Sequence, residues 1–298
     1  MQVSGEDIEV RGRLIRVARL AGDGYLFLDD PRPVIEGLRN AGRRIDLFTF
    51  TQRMPETSPR YGYPLEWDNS AVLPVSTFDN WWTNQIRSFP RNRARQAGKK
   101  GVVVREVPFD EALAQGIREI YNECPIRQGR RFRHYGKSVE EVFRETATFL
   151  DKSIFIGAFL GDRLIGFVKL VHNQGRTQAN LMNIAAMSRH KDKAPTNALI
   201  AQAVRSCAER GISYLVYQSF SYGKRSGDSM SHFKEVNGFS RVDLPRYYVP
   251  LTSAGAIAFR LGLHRRFTDH LPGSLLAGFR NLRHAWYNRK FRPLTEAY

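Results

Sequence analysis

The chain has 298 residues, 42% of them hydrophobic and 25% charged, with a formal net charge of +17 and two cysteines. This composition excludes disorder and collagen, leaves enough apolar material for two domains or one large one, and supplies too few thiols for a disulfide framework or a four-thiolate zinc site. No stretch approaches the roughly 18 unbroken apolar residues of a membrane span, and Met1 to Val10 lacks the basic-then-apolar layout of a signal peptide, so the expected location is the cytoplasm.

The charge is clustered. Arg87 to Arg105 holds seven Lys/Arg and no acid, Arg127 to Lys137 holds five and none, and Leu251 to Tyr298 holds eight against two. The rest of the chain is close to neutral, a pattern suited to polyphosphate, nucleic acid or anionic lipid, though solubility alone also accounts for it.

In chain order, residues 8 to 75 read as strands broken by turns: Ile8 to Ala18, Gly24 to Leu28, Ile45 to Thr51 and Ser70 to Val75. A short helix, Pro33 to Asn40, interrupts them, with Pro31 and Pro33 near its start and Gly42 past its end. Thr77 through Gln96 predicts a helix bent or broken at Pro90, and Val102 to Val107 a strand. Two helices follow, Phe109 to Glu123 and Ser138 to Leu150, separated by a basic loop. Three apolar strands come next: Ser153 to Leu160 and Leu164 to Val171 flank the hairpin signal Gly161-Asp162-Arg163, and Thr177 to Met187 is the third. A helix from Pro195 to Arg210 stops at Gly211. A strand, Ser213 to Tyr217, a short helix ending at Gly238 and a strand from Tyr247 to Leu251 complete the pattern, which contains no internal repeat.

Two helices, an antiparallel meander, a helix, a strand, a helix and a strand: this order resembles the GNAT acyltransferase superfamily. Lys193-Ala194-Pro195-Thr196-Asn197 opening the central helix, and His232-Phe233-Lys234-Glu235-Val236-Asn237-Gly238-Phe239 near the end, look closer to Fem-type peptidyltransferases and GNAT-like proteins of cell-envelope clusters. The resemblance implies an α/β fold of the α+β type, a mixed central sheet flanked by helices. A degenerate GNAT-like N-terminal lobe (1–105) would precede the acyltransferase domain (106–250), and a helical C-terminal tail (251–298) would follow it.

GNAT members usually hold the donor pyrophosphate on a Gln/Arg-x-x-Gly-x-Gly/Ala turn before the central helix. No glycine lies between Met187 and Leu199 here. The helix start at Pro195, Thr196 and Asn197 still offers free amides and the positive end of the helix dipole, and Lys191 and Lys193 add charge. Acyl-coenzyme A, acetyl-coenzyme A in the simplest case, is the first donor that the resemblance implies, and aminoacyl-tRNA the second. It also implies that the third meander strand parts from its neighbour, so that an amide near Asn183, Ile184 or Ala185 meets the thioester oxygen as charge develops on it. Read from the residues alone, the same segments are a half-buried strand and an ordinary helix after solvated lysines.

Direct transfer needs a base for the acceptor amine. Glu123, at the end of the first helix, and His134 are the groups near the acceptor wall whose titration suits that task. In the same loop Arg127, Arg130, Arg131 and Tyr135 combine cations with an aromatic face, suited to a phosphate or carboxylate carried on a sugar or base. Many GNAT enzymes place a tyrosine acid where this chain has Lys234. A Fem-type lysine in this region suits a substrate phosphate, so Lys234 resembles a substrate anchor, its alternative being a solvated helix lysine. Cys124 and Cys207 carry no catalytic signature, and His172, His190 and His232 are too scattered for a metal set, so no metal is expected. Residues 254 to 298 mix apolar and basic residues at helical spacing. Such a tail either lies on an anionic membrane, at its inner face, or packs on the body. The activity expected is N-acyl transfer to an amine of an anionic small molecule or envelope glycan precursor. The rival is a non-catalytic nucleic-acid-binding protein of the same fold, tRNA included; against it, the cations lie on three separate segments without a nucleic-acid motif.

Overall fold

The computed structural model describes residues 1–127, 130–221, 229–265 and 286. Its elements begin with β1 (Gln2–Val3), β2 (Glu6–Arg11), β3 (Val17–Leu20), α1 (Arg32–Arg39), β4 (Leu47–Thr51) and β5 (Leu65–Pro74). A short α2 (Phe78–Asn80) runs into a π-helical turn, Trp81–Gln85, followed by α3 (Ser88–Lys99), β6 (Val102–Val107) and α4 (Glu111–Asn122). The basic loop contributes the ribbon β7 (Ile126–Arg127) and β8 (Arg130–Arg131). Then come α5 (Val139–Thr146), the meander β9 (Ser153–Leu160), β10 (Arg163–His172) and β11 (Gln178–Ala186), and α6 (Pro195–Glu209). β12 (Tyr214–Gln218), α7 (Ser229–Val236), β13 (Ser240–Pro250) and α8 (Ser253–Arg260) close the order.

Contacts divide the chain into two units, one holding Met1–Val72 with the described residues of 217–230 and 240–271, the other holding the described residues of 73–216 and 231–239. The expected lobes, 1–105 and 106–250, do not coincide with these units. A cut at 105 would pass through β6, which pairs with β9 along its whole length, and β13 belongs with the N-terminal residues. Of the expected tail 251–298, α8 and its exit to Arg265 are described; apart from Trp286, the remainder lies outside the described residues.

In the first unit the strand order is β1-β2-β3-β4-β13-β5, antiparallel except for the parallel pair β3/β4. Its core joins Val34, Ile35 and Leu38 of α1 to Ile8, Leu20, Phe48, Phe50 and Tyr247. Gly24 to Leu28 does not form the expected strand, because Gly22 and Gly24 turn the chain at positive φ and leave only an isolated bridge, Asp23 to Leu26. β5 and β13 run longer than their apolar cores suggest. Their polar ends are held by cross-strand pairing and by Arg246, whose guanidinium lies 2.9 Å from Asp23 and 2.6 Å from Asp68.

In the second unit the order is β12-β11-β10-β9-β6, antiparallel except for β11/β12. Local chemistry sets its helices: the Asp110 side chain caps α4 by accepting from Leu113 N, and Ser138 with Glu141 forms a capping box at α5. Ile117, Ile120, Phe167, Leu199, Ile200, Val204 and Leu215 are buried in its core. The break expected at Pro90 falls earlier, at extended Ile86 and Arg87. Pro90 sits in the first turn of α3, where its missing N–H removes no helical bond.

Trp81 is fully buried and its Nε1 donates to Asn237 O at 2.9 Å. Next to that carbonyl, Gly238 has φ +89°, and a Cβ there would meet Gln85 O at 3.2 Å. Gly238→Ala therefore combines a left-handed penalty with contact against backbone. It should lower unfolding free energy by about 1–3 kcal/mol, read from the urea midpoint at unchanged slope.

Candidate functional site

β11 is paired on one side along its full length, from Ala179 opposite His172 to Ala186 opposite Gly166. On the other side β12 pairs only with Gln178, Ala179 and Asn180. From Leu181 onward that edge has no strand partner among the described residues, and Met182 to Ala186 are all half-buried. The register with β10 slips where Lys169 faces Asn183 and Leu170 faces Leu181, so Met182 is the extra residue of a β-bulge. Alternation then fixes which groups face outward. Met187 N donates to Ile165 O, toward β10. Two-residue spacing turns Ala185 and Asn183 the same way and leaves the Ile184 N–H pointing to the open edge. Of the three residues expected there, Ile184 alone presents its amide to the opening.

α6 packs over β10 at the end of β11: a Cβ on Gly166, opposite Ala186, would sit 3.1 Å from Leu199 Cδ1 and 3.2 Å from Ala186 Cβ, tighter than ordinary contact. Ala194 takes a left-handed conformation, φ 54°, to launch the helix, and Pro195 is buried without an N–H to offer. The amides of Thr196 and Asn197 have no acceptor among the described residues. The preceding segment, Ser188–Lys193, is a pair of 3₁₀ turns joined at non-helical His190, with His190 N donating to Met187 O and Ala194 N to Lys191 O. Arg93 and Lys100 of α3 donate to Lys191 O at 2.7 Å and Asp192 O at 2.9 Å, and the Lys193 ammonium lies 3.4 Å from Asp192. Lys191 is exposed.

Glu123 is engaged differently from its expected role. Its carboxylate accepts from Ser188 N and from Arg189 N at 3.0 Å, and the guanidiniums of Arg127 and Arg189 lie 3.7 and 3.9 Å away. A carboxylate spanned by two amides and two cations anchors the turn. Arg127 completes the same network: it donates to Ile120 O at 2.5 Å and Ala186 O at 3.3 Å and lies over the Phe132 ring. It therefore latches the end of α4 to the end of β11 and is not a free clamp for substrate.

His134 stacks on Tyr121 with ring centroids 4.6 Å apart, and its Nε2 accepts from Arg133 Nε at 2.8 Å. Burial, reinforced by the charges of Arg133 and Lys137, pushes the imidazole down to about 4. The ring is packed, with Nδ1 3.4 Å from the Glu145 carboxylate. Arg131 on β8 is exposed and Tyr135 half-buried; Arg130 also lies on β8. Lys234 is fully buried on α7, which removes the solvated reading of that residue.

Some residues of this region carry no signal in the sequence. Lys169, in the apolar run of β10, is fully buried; its Nζ donates to Thr146 O at 2.8 Å and to the Thr148 carbonyl, holding the end of α5, and burial lowers its ammonium to about 8. Arg118, Arg163 and Arg189 line, with Tyr135 and Lys137, a polar cavity of about 520 Å³. They lie on three elements distant in sequence, so only the fold brings them together.

A five-stranded mixed sheet with two helices between its first two strands, a third between β11 and β12, and an unpaired edge on β11 defines a GNAT-like fold. The sequence matches no family model and no curated protein. Among solved structures, L-PGS from Bacillus licheniformis superposes with a TM-score of 0.58 at 15% identity, over 89% of this chain and 88% of that one. The C-terminal domain of a putative lysylphosphatidylglycerol synthetase from Agrobacterium fabrum gives 0.54 at 13% identity, over 85% and 83%. A tandem GNAT protein from the clavulanic acid pathway gives 0.45 at 12% identity, over 79% and 75%. The likeness is one of fold.

Two outcomes follow from these placements. His134 titrates near 6.5 when unfolded and near 4 when folded, so between those values the unfolded chain holds the extra proton and stability falls as pH drops. From pH 7 to 5 this group should account for about 1–2 kcal/mol of lost unfolding free energy, and His134→Phe should remove that share in urea titrations at the two pH values. Glu123→Ala should cost about 1–3 kcal/mol through its orphaned amides and cations, and Glu123→Gln should recover part of it.

Proposed function

We propose that the chain is an N-acyltransferase that moves an acyl group, acetyl in the simplest case, from acyl-coenzyme A to an amine of an anionic small molecule or envelope glycan precursor. The observation that carries this reading is the open edge of β11, with the Ile184 amide directed into it. A thioester carbonyl seated there receives a hydrogen bond that strengthens as its oxygen becomes an oxyanion. The acceptor nitrogen attacks the carbonyl carbon, a C–N bond forms and the C–S bond breaks. With Glu123 and His134 engaged in the fold, the amine's proton leaves through water, and water returns one to the thiolate. The amides of Thr196 and Asn197 and the exposed Lys191 supply the donor's diphosphate contacts.

A second reading is favoured by one observation, the pair of 3₁₀ turns over Ser188–Lys193. It leaves a diphosphate few backbone amides, whereas an aminoacyl ester of tRNA needs none there. The same Ile184 amide would then serve an ester carbonyl.

Acetyl-coenzyme A should raise the melting temperature saturably, and a phosphorylated amino sugar should then release free thiol. Ile184→Pro deletes the single amide at an edge that tolerates proline and should lower kcat by about 10²–10³ while donor binding persists. No response to any acyl-coenzyme A, with turnover of aminoacyl-tRNA, would transfer the assignment to the second reading.

A further inference from the structure

The cavity beside α4 is lined by an excess of positive charge. Four of its lining residues are cations: Arg118 on α4, Lys137 just before α5, Arg163 at the start of β10 and Arg189 in the turn after β11. Only two lining residues, Glu119 and Glu123, are acids, which leaves a surplus of two. Beyond the lining, Arg127 beside Glu123 and Glu145 beside Lys137 add one charge of each sign, and Glu140 lies within reach of the charge on Arg118.

Both carboxylates are already committed. Glu119 pairs with Arg163 at 3.1 Å, and Glu123 holds the Ser188 and Arg189 amides. Arg118, by contrast, is half-buried and makes no hydrogen bond or ion pair among the described residues, beyond a through-space pull on Glu140. The Tyr135 hydroxyl is likewise without a hydrogen-bond partner among them. An unpaired guanidinium and a phenol thus line a polar hollow that three elements hold in place.

We infer that this cavity is a seat for a phosphate monoester. Such a group carries close to two negative charges at neutral pH, matching the surplus, and its oxygens suit the forked donors of Arg118 with further contacts from Arg189 and Tyr135. A volume of about 520 Å³ also admits the sugar or nucleoside that carries the phosphate. The inference stands on the cavity and does not require acyl transfer. If the proposed activity is correct, the seat holds either a phosphorylated acceptor or the 3′-phosphate of the donor.

Titration calorimetry on the full chain separates these cases without turnover. Glucosamine 6-phosphate and glucosamine form one pair of probes, coenzyme A and 3′-dephospho-coenzyme A the other. At least one phosphorylated probe should bind tenfold or more tightly than its partner, weakening as salt rises. Arg118→Gln and Arg163→Gln, both at the rim of the fold, should each abolish most of that difference while far-UV circular dichroism stays unchanged. A preference confined to the sugar pair assigns the seat to the acceptor, and one confined to the coenzyme pair to the donor. Equal binding within both pairs, or a phosphate preference untouched by both substitutions, would overturn the inference.

Discussion

The second unit depends on how β11 is held where it stops having two neighbours. A strand that leaves its sheet partner exposes backbone groups and loses ladder bonds, so the departure needs support from elsewhere. Here it comes from the other face. Arg127 bridges Ile120 O and Ala186 O, and Glu123 takes the first two amides of the turn that follows. α4 thereby fixes the end of β11 and the approach to α6 without any contribution from β12. The parting of β11 from β12 is thus tied to α4 through side chains.

The same network shows why residue type is an incomplete guide to role. Glu123 and His134 are, by composition and position, the obvious bases of the loop, and the fold engages both. A carboxylate four residues before Arg127 could face solvent or backbone; what decides is the turn at Ser188, which is 65 residues away. An imidazole among arginines suggests a charged cluster, yet stacking on Tyr121 buries it and makes the neutral form the stable one. Lys169 is the converse case. It lies in an apolar run, where the carbonyls of Thr146 and Thr148 and the Thr148 hydroxyl supply its partners.

The meander, α4 through α6 and the hairpin at Gly161 were legible in the sequence, because each element carries its own period and its own cap or stop. The first unit was less so: β5 and β13 are stabilised by mutual pairing and by Arg246, interactions that no window of a dozen residues contains. The parting of β11 could be expected only from resemblance. Its residues alternate as in any half-buried strand, and the bulge at Met182 leaves no mark on composition. The cavity lined by Arg118, Arg163 and Arg189 was invisible for a related reason, since each arginine alone reads as an ordinary surface charge.

Part of the net charge of +17 proves to be internal wiring. In the basic segment 87–105, Arg91 donates to Trp82 O, Arg93 and Lys100 hold the turn before α6, and Arg95 and Arg105 lie over aromatic rings. These contacts change the electrostatics of the α6 start. A glycine turn grips a diphosphate with successive amides; this chain instead neutralises the turn's carbonyls with two cations and points the remaining positive potential outward. Attraction of that kind comes from side-chain charge more than from aligned backbone dipoles, so it tolerates differently shaped phosphates and is screened by salt.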